Sequence, residues 1–168
     1  GTFRTSATSD PPSWDVLARS SATPSALPTD LAYQSLVRAQ VGYLKPAPAS
    51  EVEGDAAGSW EILDDGLRVV MKLRPNNRFD PRSPTNGRVM NSDDVVFSWK
   101  KFEQLSGNRS QVARSASKYA PVESVTAVDA QTVSLRLAFR DADILGRLTT
   151  LPIQSTEAES QYNPKNEM

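Results

Sequence analysis

Asp64-Asp65-Gly66 stands between two apolar-rich runs, residues 60–63 and 67–73, and that arrangement leaves a chain few choices. Glycine accepts φ > 0 without steric cost, so an Asp-Gly pair between such runs predicts a β-hairpin. Arg74-Pro75 ends the second strand, because proline fixes φ and donates nothing to a ladder. After a loop rich in Pro, Gly and Asn, Asn91 or Ser92 is placed to cap a helix whose first turn holds Asp93 and Asp94, where the helix dipole favours anions. Val95, Val96, Trp99, Phe102 and Leu105 recur at helical spacing, and Gly107 is the expected stop.

A second hairpin follows. Residues 122–128 and 132–139 flank Asp129-Ala130-Gln131, and Val133, Leu135, Leu137 and Phe139 alternate with Ser134, Arg136 and Ala138, the period of a half-buried strand. Asp141 or Asp143 then begins a short helix through Ile144, Leu145, Leu148 and Leu151, ended by Pro152. Two hairpins and a helix make one layer on another: a mostly antiparallel four-stranded sheet, its apolar face covered by residues 92–106 and by the short Leu-rich helix, an α+β architecture.

The rest of the chain is less regular. Residues 2–5 are β-prone and lead into a turn-forming cluster that runs from Ser6 to Pro12. Trp14, Val16, Leu17 and Ala18 have apolar spacing over a short span. Thr29 or Asp30 is expected to cap a helix in which Leu31, Ala32, Leu36 and Val37 share a face beside Tyr33. Residues 45–58 read as a surface connection, and 108–120 as a polar stretch with little periodicity. The 12 prolines in 168 residues agree with long irregular connections.

Composition removes several classes of function. There is no cysteine and no histidine, so disulfides, Ser-His-Asp and Cys-His catalysis and His- or thiolate-bound zinc cannot be built from this chain. With 19 basic and 20 acidic residues interspersed, it has no electrostatic footprint for nucleic acid. No apolar run reaches the roughly 18 residues of a membrane span, and no signal-peptide core opens the sequence. Both ends read as cut.

The carboxylate pairs Asp64-Asp65, Asp93-Asp94 and Asp141/Asp143 are the acid-base material. Each is better explained as a turn or cap than as a catalytic pair, which needs two carboxyl groups facing across a cleft. No D-x-D-x-D-G loop is present for calcium, and neither a metal site nor a cofactor is expected. Trp60, Phe97, Trp99 and Phe102 suit core packing better than a ligand platform. Arg68, Lys72, Arg136 and Arg140 suit a solvated strand face.

The order S-W-E-I-x-D-D-G-L, K-L-R-P-x-x-R-F, then S-D-D-V-V-F-S-W resembles the signature of the family 5 extracellular solute-binding proteins, receptors of bacterial ABC importers. Tyr33-Gln34-Ser35-Leu36-Val37-Arg38 and the segment E-S-V-T-A-V-D-A-Q-T-V-S-L-R-L extend the likeness. Two departures stand out: residues 80–88 replace the family's short F-x-D-G-x-P loop, and Ser9-Asp10-Pro11-Pro12 stands where members often carry L-D-P.

The resemblance implies the N-terminal portion of a much longer protein of the periplasmic-binding-protein type II fold. Residues 1–43 would belong partly to the main lobe, 44–151 would be an accessory small domain, and 152–168 would lead back to the lobes. It also implies a peptide or similar small solute as ligand, the importer's membrane permease subunits as partner, and a periplasmic or extracellular location with a lipid anchor. Catalysis is not implied. Ser6, Ala7, Thr8, Ser9 and Asp10 are the expected solute contacts, because the loop after the first strand lines the cleft in the family. The alternative is a stand-alone protein-protein interaction module that uses an exposed sheet edge or the 108–120 loop.

Overall fold

The computed structural model describes residues 15–17, 32–40 and 51–157. In chain order these form strands β1 (Val37–Ala39), β2 (Val52–Gly54), β3 (Ala57–Leu63) and β4 (Arg68–Leu73), then helices α1 (Ser92–Leu105) and α2 (Arg109–Val112), strands β5 (Val122–Asp129) and β6 (Thr132–Leu137), and helix α3 (Ile144–Leu148). Four of the strands make one antiparallel sheet in the order β3-β4-β6-β5, and β1 pairs with β2 separately. The two expected hairpins are present and dock side by side through β4 and β6.

Register sorts the two faces of this sheet. Trp60 lies opposite Met71, Met71 opposite Val133, Val69 opposite Leu135, and Leu135 opposite Val125, so these side chains share the inner face. On the other face Arg68 lies directly opposite Arg136. The like charges are answered locally: Arg68 binds Asp64 at 2.7 Å and Arg136 binds Glu123 at 3.2 Å, as the solvated-face reading of these arginines expects. In the first hairpin's turn Asp64, Asp65 and Gly66 take φ of 53°, 55° and 87°. Aspartate visits this left-handed region more readily than most residues, which lets two of them precede the glycine.

Helix α1 crosses β5 and β6. Asn91 caps it: its side chain accepts hydrogen bonds from the Asp93 and Asp94 amides, while the Asp94 carboxylate accepts from the Asn91 amide, a reciprocal capping box. Val95, Trp99 and Phe102 are buried on the sheet, and the Trp99 and Phe102 rings stack with centroids 6.0 Å apart, so these aromatics pack the core. Two details differ from the sequence reading. Leu105 is 48% exposed, and although Gly107 follows the C-cap, it does not take the left-handed turn: the helix closes through an extended Ser106 whose amide bonds back to the Phe102 carbonyl.

Larger differences lie where pairing is long-range. Of the helix expected from Thr29 or Asp30, residues 29–31 lie outside the described residues. Leu36 and Val37 are not on a helix face: Val37 opens β1, opposite Gly54. The Leu36 carbonyl accepts from the Asp55 and Ala57 amides, and this bonding of the backbone to a distant segment outweighs the weak helical spacing. The connection expected over 45–58 accordingly contains β2 and the buried Ala56 and Ala57. The polar stretch 108–120 contains α2, with Val112 and Ala113 buried. Helix α3 covers β1 and α2 rather than the four-stranded sheet. Asp141 fixes its start by accepting from the Asp143 amide at 2.9 Å and from Arg147 at 2.6 Å.

One hydrophobic cluster runs from the sheet and α1 into Leu17, Leu36, Val37, Leu148, Leu151 and Ile153. Segments far apart in sequence therefore close a common core.

Candidate functional site

The expected solute contacts Ser6, Ala7, Thr8, Ser9 and Asp10 lie outside the described residues. Within them, a cleft of about 620 Å³ opens between the 78–85 loop on one side and residues 32–34 and 153–155 on the other. Its apolar lining includes Phe79, Met90 and Ile153.

The loop is held together by local contacts. An isolated bridge joins Arg78 to Val89, and the Phe79 amide donates to the Arg88 carbonyl at 3.1 Å. Above this neck the chain turns back on itself through Asn86 and Gly87 at φ of 50° and 70°, with the Gly87 amide on the Asp80 carbonyl at 3.0 Å. Asp80 grips Arg82 with both carboxylate oxygens, at 2.8 and 2.7 Å, and also accepts the Arg82 amide. Those Arg82 donors hold the exposed Asp80 carboxyl down at about 2. The opposite wall is tied on by Asn77, whose amide group donates to the Gln34 side chain at 2.6 Å.

Beneath the loop lies an ion-pair network with a buried carboxylate at its centre. Asp94, at the third position of α1, is fully buried. Arg88 meets it in a two-pronged pair, Nη2 to Oδ1 at 2.6 Å and Nη1 to Oδ2 at 2.8 Å. The amides of Asn91 and Thr156 supply two further donors to the carboxylate at 3.0 and 3.1 Å. The other edge of the same guanidinium engages the Glu157 carboxylate, and its face lies 4.9 Å from the centre of the Phe79 ring. Asp94 and then Glu157 raise the Arg88 pKa further, and Arg88 in turn pulls Glu157 down to about 2.

The sequence reading placed Asp93 and Asp94 together at a helix start. The structure separates them: Asp93 is exposed, and Asp94 is the buried centre of a network. Arg88 itself was missed, since one arginine in an irregular loop carries no pattern. The signal that could have exposed it is the capping box, which turns the third-position acid inward, where a cation must answer it.

This arrangement positions chain segments and leaves little for acid-base chemistry. Asp64 is bound to Arg68, Asp94 to Arg88 and Asp141 to Arg147. No group of three or more carboxylates able to hold a metal occurs among the described residues. What the cleft offers is a shaped, partly apolar wall with firmly held polar groups.

Residues 51–168 match the pattern of bacterial extracellular solute-binding proteins, family 5. The chain belongs to that family. It is similar to the probable ABC transporter periplasmic-binding protein SapA of Escherichia coli K12, with 35% identity over 106 residues, 57% of this chain and 19% of that protein. In structure it resembles the periplasmic binding protein DppA from Helicobacter pylori in complex with the peptide STSA, with a TM-score of 0.69 and 24% identity over 94% of this chain and 31% of that one. It also resembles MoaA of A. tumefaciens R10 in complex with mannopinic acid, with a TM-score of 0.66 and 30% identity over 88% of this chain and 28% of that one. The fold is that of the type II periplasmic binding proteins, and the family 5 chain spans less than a third of the length of these relatives.

Proposed function

We propose that this chain forms the N-terminal part of the solute-binding receptor of a bacterial ABC importer, which takes up a peptide or similar small solute outside the cytoplasm and delivers it to a membrane permease. The observation that carries the reading is the family match over residues 51–168. The described fold supports it, since solved relatives that share it hold a peptide in one case and mannopinic acid in another. On this reading residues 1–43 belong partly to the main lobe, 44–151 form the accessory domain and 152–168 lead back to the lobes. Ser6, Ala7, Thr8, Ser9 and Asp10 contact the solute, the protein works on the periplasmic or outer face, and a lipid anchor holds it there. No catalytic step is assigned: the chain lacks histidine and cysteine.

Solute is then held chiefly by lobes beyond this chain, between halves that close about a hinge. Calorimetry on the full product of the source gene should show peptide or small-solute binding that weakens when residues 6–10 are replaced by alanine. The 168-residue chain alone should bind weakly or not at all. Tight peptide binding by this chain alone would overturn the proposed division of labour, and a native product of this length residing in the cytoplasm would overturn the receptor reading itself.

A further inference from the structure

We propose that Arg88 is a clasp that holds the segment 154–157 against the first turns of α1, and that this clasp fixes one wall of the cleft. The inference rests on how that segment is attached. Just before it, the Ile153 amide is held by the main chain, donating to the Gln34 carbonyl at 2.8 Å. From Gln154 onward the attachments change character. The Gln154 amide donates to the Ser98 hydroxyl at 2.8 Å, and the Ser98 hydroxyl lies 2.8 Å from the Asp94 carbonyl. The Thr156 amide donates to the buried Asp94 carboxylate at 3.1 Å. Glu157 closes the arrangement on Arg88.

The segment thus lies on α1 through side-chain partners, and Arg88 holds both ends of the contact at once. Asp94 is six residues from Arg88 and Glu157 is 69 residues away, so one guanidinium joins the helix start to the departing chain. Its Nη1 also donates to the Val89 carbonyl at 3.2 Å and its Nη2 to the Thr156 hydroxyl at 3.3 Å. A planar fork suits this double grip, and lysine, a point charge on a flexible stem, does not reproduce it. Because Gln154 and Ser155 line the cleft beside Ile153, and Phe79 lines it beneath the guanidinium, the clasp spans the base of both walls. Releasing it frees 154–157 as a local opening while the sheet stays folded.

Amide hydrogen exchange on the full chain, read residue by residue, tests this. Glu157→Ala removes the outer grip and leaves the buried Arg88–Asp94 pair in place. Exchange at Gln154 and Thr156 should then accelerate about tenfold or more, well beyond any change at Ile153 and the β4 and β6 amides. Arg88→Lys, which also loosens the grip on Asp94, should speed Gln154 and Thr156 more than it speeds Ile153 and the β4 and β6 amides. Unchanged exchange at Gln154 and Thr156 in Glu157→Ala would overturn the clasp, as would acceleration shared equally by Ile153, β4 and β6, which would mark a general loss of stability. Arg88→Ala is the stronger variant, and should it fail to fold, Glu157→Ala still decides.

Discussion

Lys101 Nζ lies 2.7 Å from the Asp15 carboxylate, with the two side chains only 9% and 10% exposed. The pair joins α1 to a segment at the start of the described chain, and Gln154 reinforces it by donating to Asp15 at 3.0 Å. Removing one partner of a buried ion pair strands the other in a poorly solvated place, which costs more than the pair contributed. Lys101→Met should therefore destabilise the chain by about 3 kcal/mol. Urea denaturation at neutral pH measures this, and the double variant Lys101→Met with Asp15→Leu should recover much of the loss, because no unpaired charge then remains.

The same contacts set an acid limit. Burial works to raise the Asp15 carboxyl, but the Lys101 and Gln154 hydrogen bonds outweigh it and leave the pKa lowered. Glu157 is held at about 2 by Arg88, against an ordinary 4.5. A depressed carboxylate contributes stability that is complete above its unfolded pKa and is lost as pH falls through its folded one. Stability from these two groups should thus be level from pH 7 to about 5 and decline between about 4.5 and 2. Glu157→Gln should flatten part of that decline, which a series of denaturation curves across the window would reveal.

Inner-face positions of the sheet should differ sharply in cost. Leu135 is fully buried on β6, whereas Ile62 on edge strand β3 faces the same side and is 52% exposed, because α1 covers β5 and β6. Leu135→Ala should cost about 2–5 kcal/mol through lost burial and the cavity left behind. Ile62→Ser should stay within about 0.5 kcal/mol. Thermal unfolding of the two variants separates them, and equal losses would show that β3's end is covered in solution.

What the sequence made legible was local. The Asp64-Asp65-Gly66 turn, the capped start of α1 and the alternation from Val133 to Leu137 each carry their signal within a few residues, and each stands in the structure as expected. β1 and β2 carry none. They are three residues long, too short to show a period, and Val37 finds its partner at Gly54, across an interval no local pattern crosses. Leu36 and Val37 are fully buried, so their apolar character was informative, but burial alone does not choose between helix and strand. At the candidate site, Phe79 was visible as the end of the K-L-R-P-x-x-R-F motif and Met90 carried no signal of its own. Arg88 gained meaning when Asp94 proved to be buried, and nothing near Arg88 in sequence announces Glu157, 69 residues on.

Asp80 and Arg82 should titrate as a local unit, independent of the core. The carboxylate and the guanidinium stand two residues apart, with both side chains well exposed, so solvent screens their pairing and its effect is read as a pKa. In NMR titration of the intact chain the Asp80 carboxyl should titrate at about 2, and in Arg82→Ala it should move up toward the ordinary 3.8 as its donors are lost. The rest of the spectrum should stay in place. A wide change in the spectrum would show that this loop stabilises more of the fold than the cleft's rim.

Two substitutions at the start of α1 divide capping from charge pairing. Asn91 accepts the Asp93 and Asp94 amides, at 3.1 and 3.2 Å, and does nothing for Arg88. Asn91→Ala should cost about 1 kcal/mol, the usual loss of a helix cap. Asp94 returns the cap and also carries the negative charge that Arg88 answers. Asp94→Asn keeps the size but turns an amide N–H₂ toward a guanidinium or an amide donor, and removes one of the two carboxylates that Arg88 engages. Its cost should reach at least about 3 kcal/mol. Chemical denaturation of both variants decides the matter: losses of similar size would mean that Asp94 acts mainly as a cap, and a gap of about 2 kcal/mol or more would place the buried ion pair at the centre of this end of the fold.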